Sequence, residues 1–372
     1  MRNPFTLGIV QKNDFCNRDK EIEDLLRSAR NGDNIVLFSP RRYGKSSLIT
    51  RVLDMLREEG FLTVYVDLFP ISSETDFVSR FSAGVFRGIG RGADPRTFAE
   101  KVKNIFNRLI PTFEVKPDGY SISAKFDRTT ETGVLLDDLM DGIYKYVKKK
   151  KVRACVALDE FQEITELPEC KKIEGILRSH IQFHKEIAYF YIGSRRRILN
   201  DMFSNRSRPF YKSAFSYTLK EISKNDFVSC IEKRFRATGK MCPPEIAEKL
   251  YDGVRGYPYY VQKLASIAWD ITTKTCSVDA VHSAYNSLLT MEAIDFEGIW
   301  SGLTLIQKSV LKALAQEPTS SPYAREFLER HRLSIGGTQR AMEVLLSRDL
   351  IEKDSENKYR LTDPIMAAWL SE

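Results

Sequence analysis

Residues 39–47 read Ser39-Pro40-Arg41-Arg42-Tyr43-Gly44-Lys45-Ser46-Ser47, and much of the fold can be placed by working outward from them. The preceding run of residues 34–38 is largely apolar, which is typical of a buried strand. After the loop, Leu48, Val52 and Leu56 recur at helical spacing. A loop that joins a strand to a helix N-terminus points backbone N–H groups at one place, where they bind polyphosphate. The pattern therefore predicts a P-loop, or Walker A motif.

Each residue of this loop is expected to line the phosphates of ATP. Lys45 is predicted to reach the β- and γ-phosphates, and the Ser46 hydroxyl is predicted to bind Mg²⁺. Ser39 stands where the usual motif has its first glycine. Serine accepts a positive φ less readily than glycine does, so we expect a mild distortion there if the turn requires that φ.

A second apolar run ends in two acids. Residues 154–158 are apolar and are followed by Asp159 and Glu160, as expected for a buried strand of a parallel sheet. The carboxyl end of such a strand is where α/β sheets bind ligands. We therefore expect Asp159 to hold Mg²⁺, directly or through water. Because side chains alternate along a strand, Glu160 is expected to point elsewhere and to polarise the attacking water.

A further apolar strand is predicted over residues 187–192, followed by Gly193 and Ser194. Ser194 lies at the strand tip, where its hydroxyl is expected to contact the γ-phosphate or its water. Three arginines follow at 195–197. One helical turn cannot aim three successive side chains at one target, so we expect at least two of them to be solvated.

With these residues in view, the sequence resembles the prokaryotic AAA-type ATPases related to the STAND class, often called the archaeal ATPase family. The resemblance extends over nearly the whole chain. It rests on an N-terminal motif, the loop, the acidic strand end, the strand tip and a Gly-x-Pro element: Asp14-Phe15-Cys16-Asn17-Arg18-Asp19-Lys20-Glu21, residues 40–47, Leu158-Asp159-Glu160-Phe161-Gln162, Gly193-Ser194 and Gly256-Tyr257-Pro258-Tyr259-Tyr260. Asn17 takes the place of a family glycine.

The resemblance implies ATP binding with Mg²⁺, slow hydrolysis and a nucleotide-dependent conformational switch. It further implies that Arg18 lies near the adenine, that Ser194 is the first sensor and that Pro258 of a helical lid packs near the nucleotide. The candidates for an arginine finger are Arg195, Arg206, Arg208 and Arg255. A partner subunit is an equal alternative, so oligomerisation stays open.

At 372 residues the chain exceeds one comfortable core. We predict an α/β fold with a P-loop NTPase parallel sheet at 1–215, a helical lid at 216–300 and a C-terminal winged-helix domain at 301–372. A hairpin is expected over residues 113–126. In the winged helix, helices are expected over 304–314 and 321–331 and after Ser334, with two strands at 351–353 and 358–361 around a wing.

The remaining composition excludes other classes of protein. The six cysteines have no paired spacing, which argues against a zinc site and a disulfide framework. His180 and His184 have i, i+4 spacing, and a surface helix explains them better than a metal site does. No apolar run approaches about 20 residues, so we expect no membrane span and a cytoplasmic location.

The net charge of +7 raises the question of DNA binding. Residues 301–372 hold ten Lys or Arg and ten Asp or Glu, so the winged helix is neutral and the excess lies upstream. Because phosphate neutralisation dominates non-specific affinity, a neutral domain gains little from it. The basic run at 145–153 closes a predicted helix, and a solvated terminus explains it better than a nucleic-acid patch. The sequence leaves DNA and protein open as partners of the winged helix.

Overall fold

The fold is taken from a computed structural model, which describes residues 2–8, 15–69, 71–91, 98, 102, 105–116, 119–127, 129–354 and 356–371. The chain divides into two compact units. One comprises residues 18–220, and the other comprises residues 1–17 together with 221–372. Asp14 of the N-terminal motif and the predicted turn residues Pro117, Asp118 and Ser355 lie outside the described residues.

The unit of residues 18–220 is built on a parallel sheet of five strands with the order β2-β5-β6-β1-β7. All residues of the three central strands are buried, which is why these strands read as continuous apolar runs rather than as alternating ones. The strands are β1 (Ile35–Phe38), β2 (Leu62–Asp67), β5 (Ala154–Asp159), β6 (Ile187–Gly193) and β7 (Phe215–Thr218), and an antiparallel hairpin adds β3 (Ile110–Lys116) and β4 (Gly119–Lys125). The α/β fold class is confirmed.

Helices cover the sheet and its edge. In this unit they are α1 (Asp19–Asn31), α2 (Lys45–Glu58), α3 (Glu74–Gly90), α4 (Thr132–Lys150), α5 (Cys170–Ile181) and α6 (Arg196–Ser204). Helix α3 lies very close to the edge strand β2. A Cβ atom on Gly84 would meet the Val66 side chain at 2.6 Å, and one on Gly88 would meet the Thr63 carbonyl oxygen at 2.7 Å. Glycine at these two positions therefore permits the contact.

Two features of this unit differ from the predictions. Strand β7 was not predicted, because its residues are mostly exposed and give no apolar run. The prediction that His180 and His184 lie on one surface helix is wrong, since α5 ends at Ile181 and contains only His180. His184 is buried beyond the helix, its Nδ1 lies 2.7 Å from the Tyr189 hydroxyl, and burial lowers its pKa to about 4.

The other unit contains the predicted lid helices and the winged helix. Its lid helices are α7 (Lys224–Ala237), α8 (Pro244–Asp252), α9 (Pro258–Ile271) and α10 (Val278–Ser301). Ser223 caps α7 by accepting a hydrogen bond from the Asp226 N–H at 3.2 Å. Gly256 has φ +67°, and a Cβ there would meet the Tyr251 ring at 2.4 Å, so the Gly-x-Pro turn requires its glycine.

The winged helix consists of three helices, two strands and a closing helix. These are α11 (Leu305–Gln316), α12 (Arg325–Arg330), α13 (Ile335–Ser347), β8 (Ile351–Lys353), β9 (Tyr359–Leu361) and α14 (Pro364–Trp369). Thr304 and Gln307 form a capping box at α11, and Asp363 caps α14 by accepting from two backbone N–H groups. Ser334 precedes α13 without a capping hydrogen bond from its side chain. The winged-helix architecture is confirmed.

The structure contains a disulfide that cysteine spacing did not predict. Cys16 and Cys230 are bonded, with their Cα atoms 5.4 Å apart and a sequence separation of 214. The expectation of no disulfide is therefore wrong, because the pairing depends on the N-terminal segment packing against α7. Phe5 contributes to the same packing through an edge-to-face contact with Phe235, whose ring centroid lies 5.8 Å from that of Phe5.

Two properties of the described part of the chain concern membranes and metals. No helix there combines the length and apolarity needed to cross a bilayer. Within the same residues, no group of three or more His, Cys, Asp or Glu side chains is arranged to hold a metal ion.

Thiol counting tests the disulfide. Alkylation of the denatured, unreduced protein should label four cysteines, and prior reduction should raise the number to six. The Cys16→Ser variant should show five labelled thiols under both conditions, because Cys230 then has no partner. Mass spectrometry that finds six labels without reduction would contradict the bond.

Candidate nucleotide site

The loop of residues 39–47 joins β1 to α2 at the carboxyl edge of the sheet. Gly44 has φ +83°, which favours glycine, and a Cβ added there would meet no atom within 4 Å. The loop therefore leaves open space directly in front of the N-terminus of α2. Lys45 is buried, and its ammonium donates to the carbonyl oxygens of Ser39 and Pro40 at 3.3 and 3.2 Å. These contacts hold the lysine across the loop.

The serine in place of the first glycine does not distort the loop. Ser39 does not have a positive φ, whereas Arg42 does, at +65°. The Ser39 hydroxyl is tucked in and donates to the Pro40 carbonyl at 3.1 Å. Its backbone N–H donates to the Gly193 carbonyl at 3.4 Å, which links the loop to the tip of β6. The expected strain at this position is therefore absent.

Three side chains meet at the end of β5. The Ser46 hydroxyl donates to Asp159 Oδ2 at 2.8 Å, and the Tyr65 hydroxyl donates to the same oxygen at 2.6 Å. Ser46 opens α2, Asp159 ends β5 and Tyr65 comes from the edge strand β2. The two residues predicted to bind Mg²⁺ are thus brought together from two separate elements, and a tyrosine from a third element bonds to the same carboxylate oxygen.

The carboxylate of Asp159 is buried and its charge is only partly compensated. Burial raises its pKa, while the hydrogen bonds from Tyr65 and Ser46 and the charge of Lys45 act to lower it. Burial and the adjacent Asp159 raise the pKa of Tyr65, so the phenol stays protonated and donates. A buried carboxylate of this kind gains strongly from a cation.

The residues present fit Mg²⁺. A hydroxyl and a carboxylate are hard oxygen ligands, and Mg²⁺ takes only a few such protein ligands beside waters and substrate phosphates. Ser46 Oγ and Asp159 Oδ2 already lie within hydrogen-bond distance of each other at 2.8 Å. Gly44, with the open space in front of it, precedes Ser46 by two residues.

Glu160 lies next to the predicted sensor. Its Oε2 accepts from the Ser194 hydroxyl at 3.0 Å and from Gln162 Nε2 at 2.5 Å. The direction of Glu160 is not set by strand alternation as we expected, because β5 ends at Asp159 and Glu160 has a left-handed φ of +50°. Gln162 is fully buried, and a Cβ on Gly193 would meet its Oε1 at 2.0 Å. The glycine before the sensor therefore makes room for Gln162.

Two residues of the N-terminal motif, Asn17 and Arg18, lie in different environments. Asn17 has φ +79°, a conformation that asparagine accepts better than most residues, which explains how it replaces glycine. Arg18 is buried, and its guanidinium donates to Glu21 at 2.6 Å and to the Lys220 carbonyl at 2.7 Å. These bonds connect the two ends of the unit. Its predicted contact with adenine stays a prediction.

The remaining predicted residues differ in burial. Arg41 is exposed and Tyr43 is buried. Pro258 is the first residue of α9 and is buried within its own unit. Of the residues 195–197, the second and third are exposed, in agreement with the solvated interpretation.

Two of the finger candidates are held in ion pairs. Arg195 contacts Glu166 at 3.1 Å, and Arg208 bonds to the fully buried Glu174. Arg206 and Arg255 are exposed.

Sequence reasoning missed two residues of the site. Tyr65 lies on β2, and nothing in the sequence shows that β2 is the neighbour of β5. Gln162 lay within the family motif, yet its contact with Glu160 depends on the 3-10 turn at Phe161–Glu166. The spacing of Gln162 two residues after Glu160 was the only available signal.

Two family profiles match the chain. The profile of a family described as "ATPase domain predominantly from Archaea" matches residues 15–264. A second profile, described as "Probable winged helix domain", matches residues 294–372. No curated protein matches the chain.

Solved structures share the fold. The chain is similar to a Walker-type ATPase of Pyrococcus abyssi, with a TM-score of 0.70, 16% identity and 97% of each chain covered. It is similar to the ORC2 protein of Aeropyrum pernix in its ADP form, with a TM-score of 0.52, 15% identity, and 98% and 100% covered. At these identities the likeness concerns the fold alone.

The hydrogen bond from Tyr65 to Asp159 can be tested through pH. Because Mg²⁺ requires the deprotonated carboxylate, its affinity should fall as the pH drops through the raised pKa of Asp159. Tyr65→Phe removes a bond that lowers this pKa, so the fall should begin at higher pH. Magnesium titrations of nucleotide binding at a series of pH values measure it. The control is Tyr217→Phe, which removes a hydroxyl bonded to Asp24 and should leave the pH profile unchanged. If the pH profiles of magnesium affinity coincide for Tyr65→Phe and the wild type, Tyr65 does not influence the carboxylate of Asp159.

Proposed function

The chain belongs to the family of ATPase domains found predominantly in Archaea, and we propose that it binds Mg²⁺–ATP at residues 39–47 and hydrolyses it slowly as a conformational switch. The single observation that carries the proposal is the meeting of Ser46 and Asp159 at 2.8 Å beside the open turn at Gly44. A P-loop ATPase needs this pairing to place a cation against phosphate.

In this proposal, the backbone N–H groups of the loop and the positive end of α2 hold the triphosphate. Lys45 leaves the Ser39 and Pro40 carbonyl groups and donates to the β- and γ-phosphates. Ser46 and Asp159 would hold Mg²⁺, which when bound would neutralise charge on the phosphate oxygens. Tyr65 keeps Asp159 oriented through its hydrogen bond to Oδ2 at 2.6 Å.

Hydrolysis is assigned to Glu160 and Ser194. Glu160 accepts the proton of the attacking water, and its link to Ser194 at 3.0 Å supports that role, because the serine lies at the tip of the neighbouring strand. Gln162 positions the carboxylate from the buried side. An arginine that stabilises the transition state is assigned either to the exposed Arg206 or Arg255 or to a second copy of the chain, since Arg195 and Arg208 are paired.

The switch requires a connection from the lid to the winged helix. Tyr260 of α9 donates to Asp363 at 2.5 Å, and Asp363 is the cap of α14. Tyr260 also donates to the buried Glu292 of α10 at 3.3 Å. The lid helix that starts with Pro258 is thus hydrogen-bonded to the winged helix, which is the domain that moves in this proposal. We keep the domain boundaries at 1–215, 216–300 and 301–372, and the cytoplasmic location, as predictions.

The partner is proposed to bind the winged helix, with DNA and protein as the two classes. The exposed side of α13 offers Gln339 and Arg340 but also Glu343, Ile335 and Val344. One arginine beside an acid and two apolar side chains suits a protein surface better than a groove of DNA. This composition favours a protein partner.

Two substitutions separate binding from turnover. Lys45→Ala should weaken ATP affinity by roughly 100-fold, because hydrogen bonds to charged groups contribute about 1.5–3 kcal/mol. Glu160→Gln should bind ATP normally and lose turnover by about 10²–10⁴-fold, as expected for a general base. Calorimetry and phosphate release measure the two effects.

Matched controls are the exposed Lys150→Ala and Glu169→Gln, which should retain both properties. Unchanged phosphate release in Glu160→Gln would remove Glu160 from its role. Unchanged ATP affinity in Lys45→Ala would reject the site.

A titration with duplex DNA at several salt concentrations tests the partner class. With a neutral winged helix, we expect weak binding that is not altered by ATP and has a shallow salt dependence. Fluorescence anisotropy of labelled duplex measures it. Tight binding with a steep salt slope that is lost in Arg340→Ala would establish the DNA alternative instead.

A further inference from the structure

A cavity of about 860 Å³ lies in the unit of residues 18–220, between α2, β2, α3 and the β3–β4 hairpin. Its volume is within the range of small-molecule sites, about 300–1,000 Å³. Among the described residues, its lining includes none from the loop at 39–47. It is therefore a second concave region, which shares Tyr65 with the nucleotide site but none of the residues of its loop.

Arginines dominate the charged lining of this cavity. Arg57, Arg80, Arg87 and Arg91 face a single carboxylate, that of Asp67. Arg57 and Arg80 are each paired with a carboxylate of their own helix, at 2.6 and 3.0 Å. In the part of the chain that the structure describes, Arg87 and Arg91 have no ion-pair partner.

The position of these arginines follows from how α3 packs. Arg80 and Arg87 are seven residues apart, which places them on one face of α3, and Arg91 directly follows the last residue of the helix. Gly84 and Gly88 share this face and let it approach β2 closely. Partial desolvation and the neighbouring Arg80 lower the pKa of Arg87, although an arginine remains charged. The result is a cluster of like charges fixed beside the strand without enough anions to balance it.

The other walls are apolar. Leu53, Val66, Phe113 and Ile122 line the same space. The geometry points to a binding site for a phosphorylated small molecule with an apolar or aromatic body. The planar guanidinium fork matches phosphate oxygens in pairs, and the apolar walls cover the rest of the ligand.

A nucleic-acid backbone fits this site less well. Its phosphates follow an extended strip, whereas these arginines converge on one concave space with apolar walls. The ligand class is therefore a compact phosphate ester.

Phenyl phosphate and inorganic phosphate are suitable probes for calorimetry on the full chain. Phenyl phosphate should bind more tightly than inorganic phosphate, because only the ester contacts the apolar walls. Arg87→Gln should weaken the affinity for phenyl phosphate by roughly tenfold or more. Arg87→Lys should lose less affinity, because the positive charge is kept. Arg91→Gln is a second, independent variant at the rim.

Two controls separate this site from others. Lys45→Ala should leave phenyl phosphate affinity unchanged, which makes the result independent of the proposed ATPase site. Arg27→Gln, at an exposed arginine of α1, should be silent.

Three results would overturn the proposal. They are no detectable binding of phenyl phosphate, binding lost in Lys45→Ala but retained in Arg87→Gln, and no phenyl phosphate binding together with oligonucleotide binding that depends on Arg87. The last result would assign the arginines to nucleic acid.

Discussion

The carboxylate of Asp159 is the constraint on which the site depends. It is buried at the end of a fully buried strand, and its charge is tolerated because Ser46 and Tyr65 donate to one of its oxygens. These donors come from α2 and from the edge strand β2, so one polar group fixes the relative positions of three elements. The cation that this arrangement suits would complete the compensation that the two hydroxyl groups begin.

Around this constraint the polar and apolar parts of the core have separate tasks. The central strands supply a rigid apolar floor, and their carboxyl ends place Gly44, Asp159 and Ser194 at one edge. Gln162 and Gly193 form a complementary pair behind Glu160, where a larger residue than glycine would displace the glutamine. The proposed catalytic geometry thus depends on packing behind the site as much as on the groups that face it.

The cavity at the sheet edge has a related physical origin. Close packing of α3 on β2 requires Gly84 and Gly88, and the same helix carries Arg80 and Arg87. Tyr65 lines this cavity and also donates to Asp159. A single side chain therefore borders both concave regions of the unit.

The sequence alone determined the central strands, the loop, the acidic strand end and the order of lid and winged helix. These features are local: apolar runs, glycine positions and capping residues specify them without reference to distant parts of the chain. The tertiary structure decided the rest. Strand order brought Tyr65 to Asp159, and the packing of the N-terminal segment joined Cys16 to Cys230. The left-handed backbone conformation of Glu160 let its side chain reach Ser194. Contacts between residues far apart in sequence leave no periodic signal, because each partner satisfies its own local pattern whether or not the other is present.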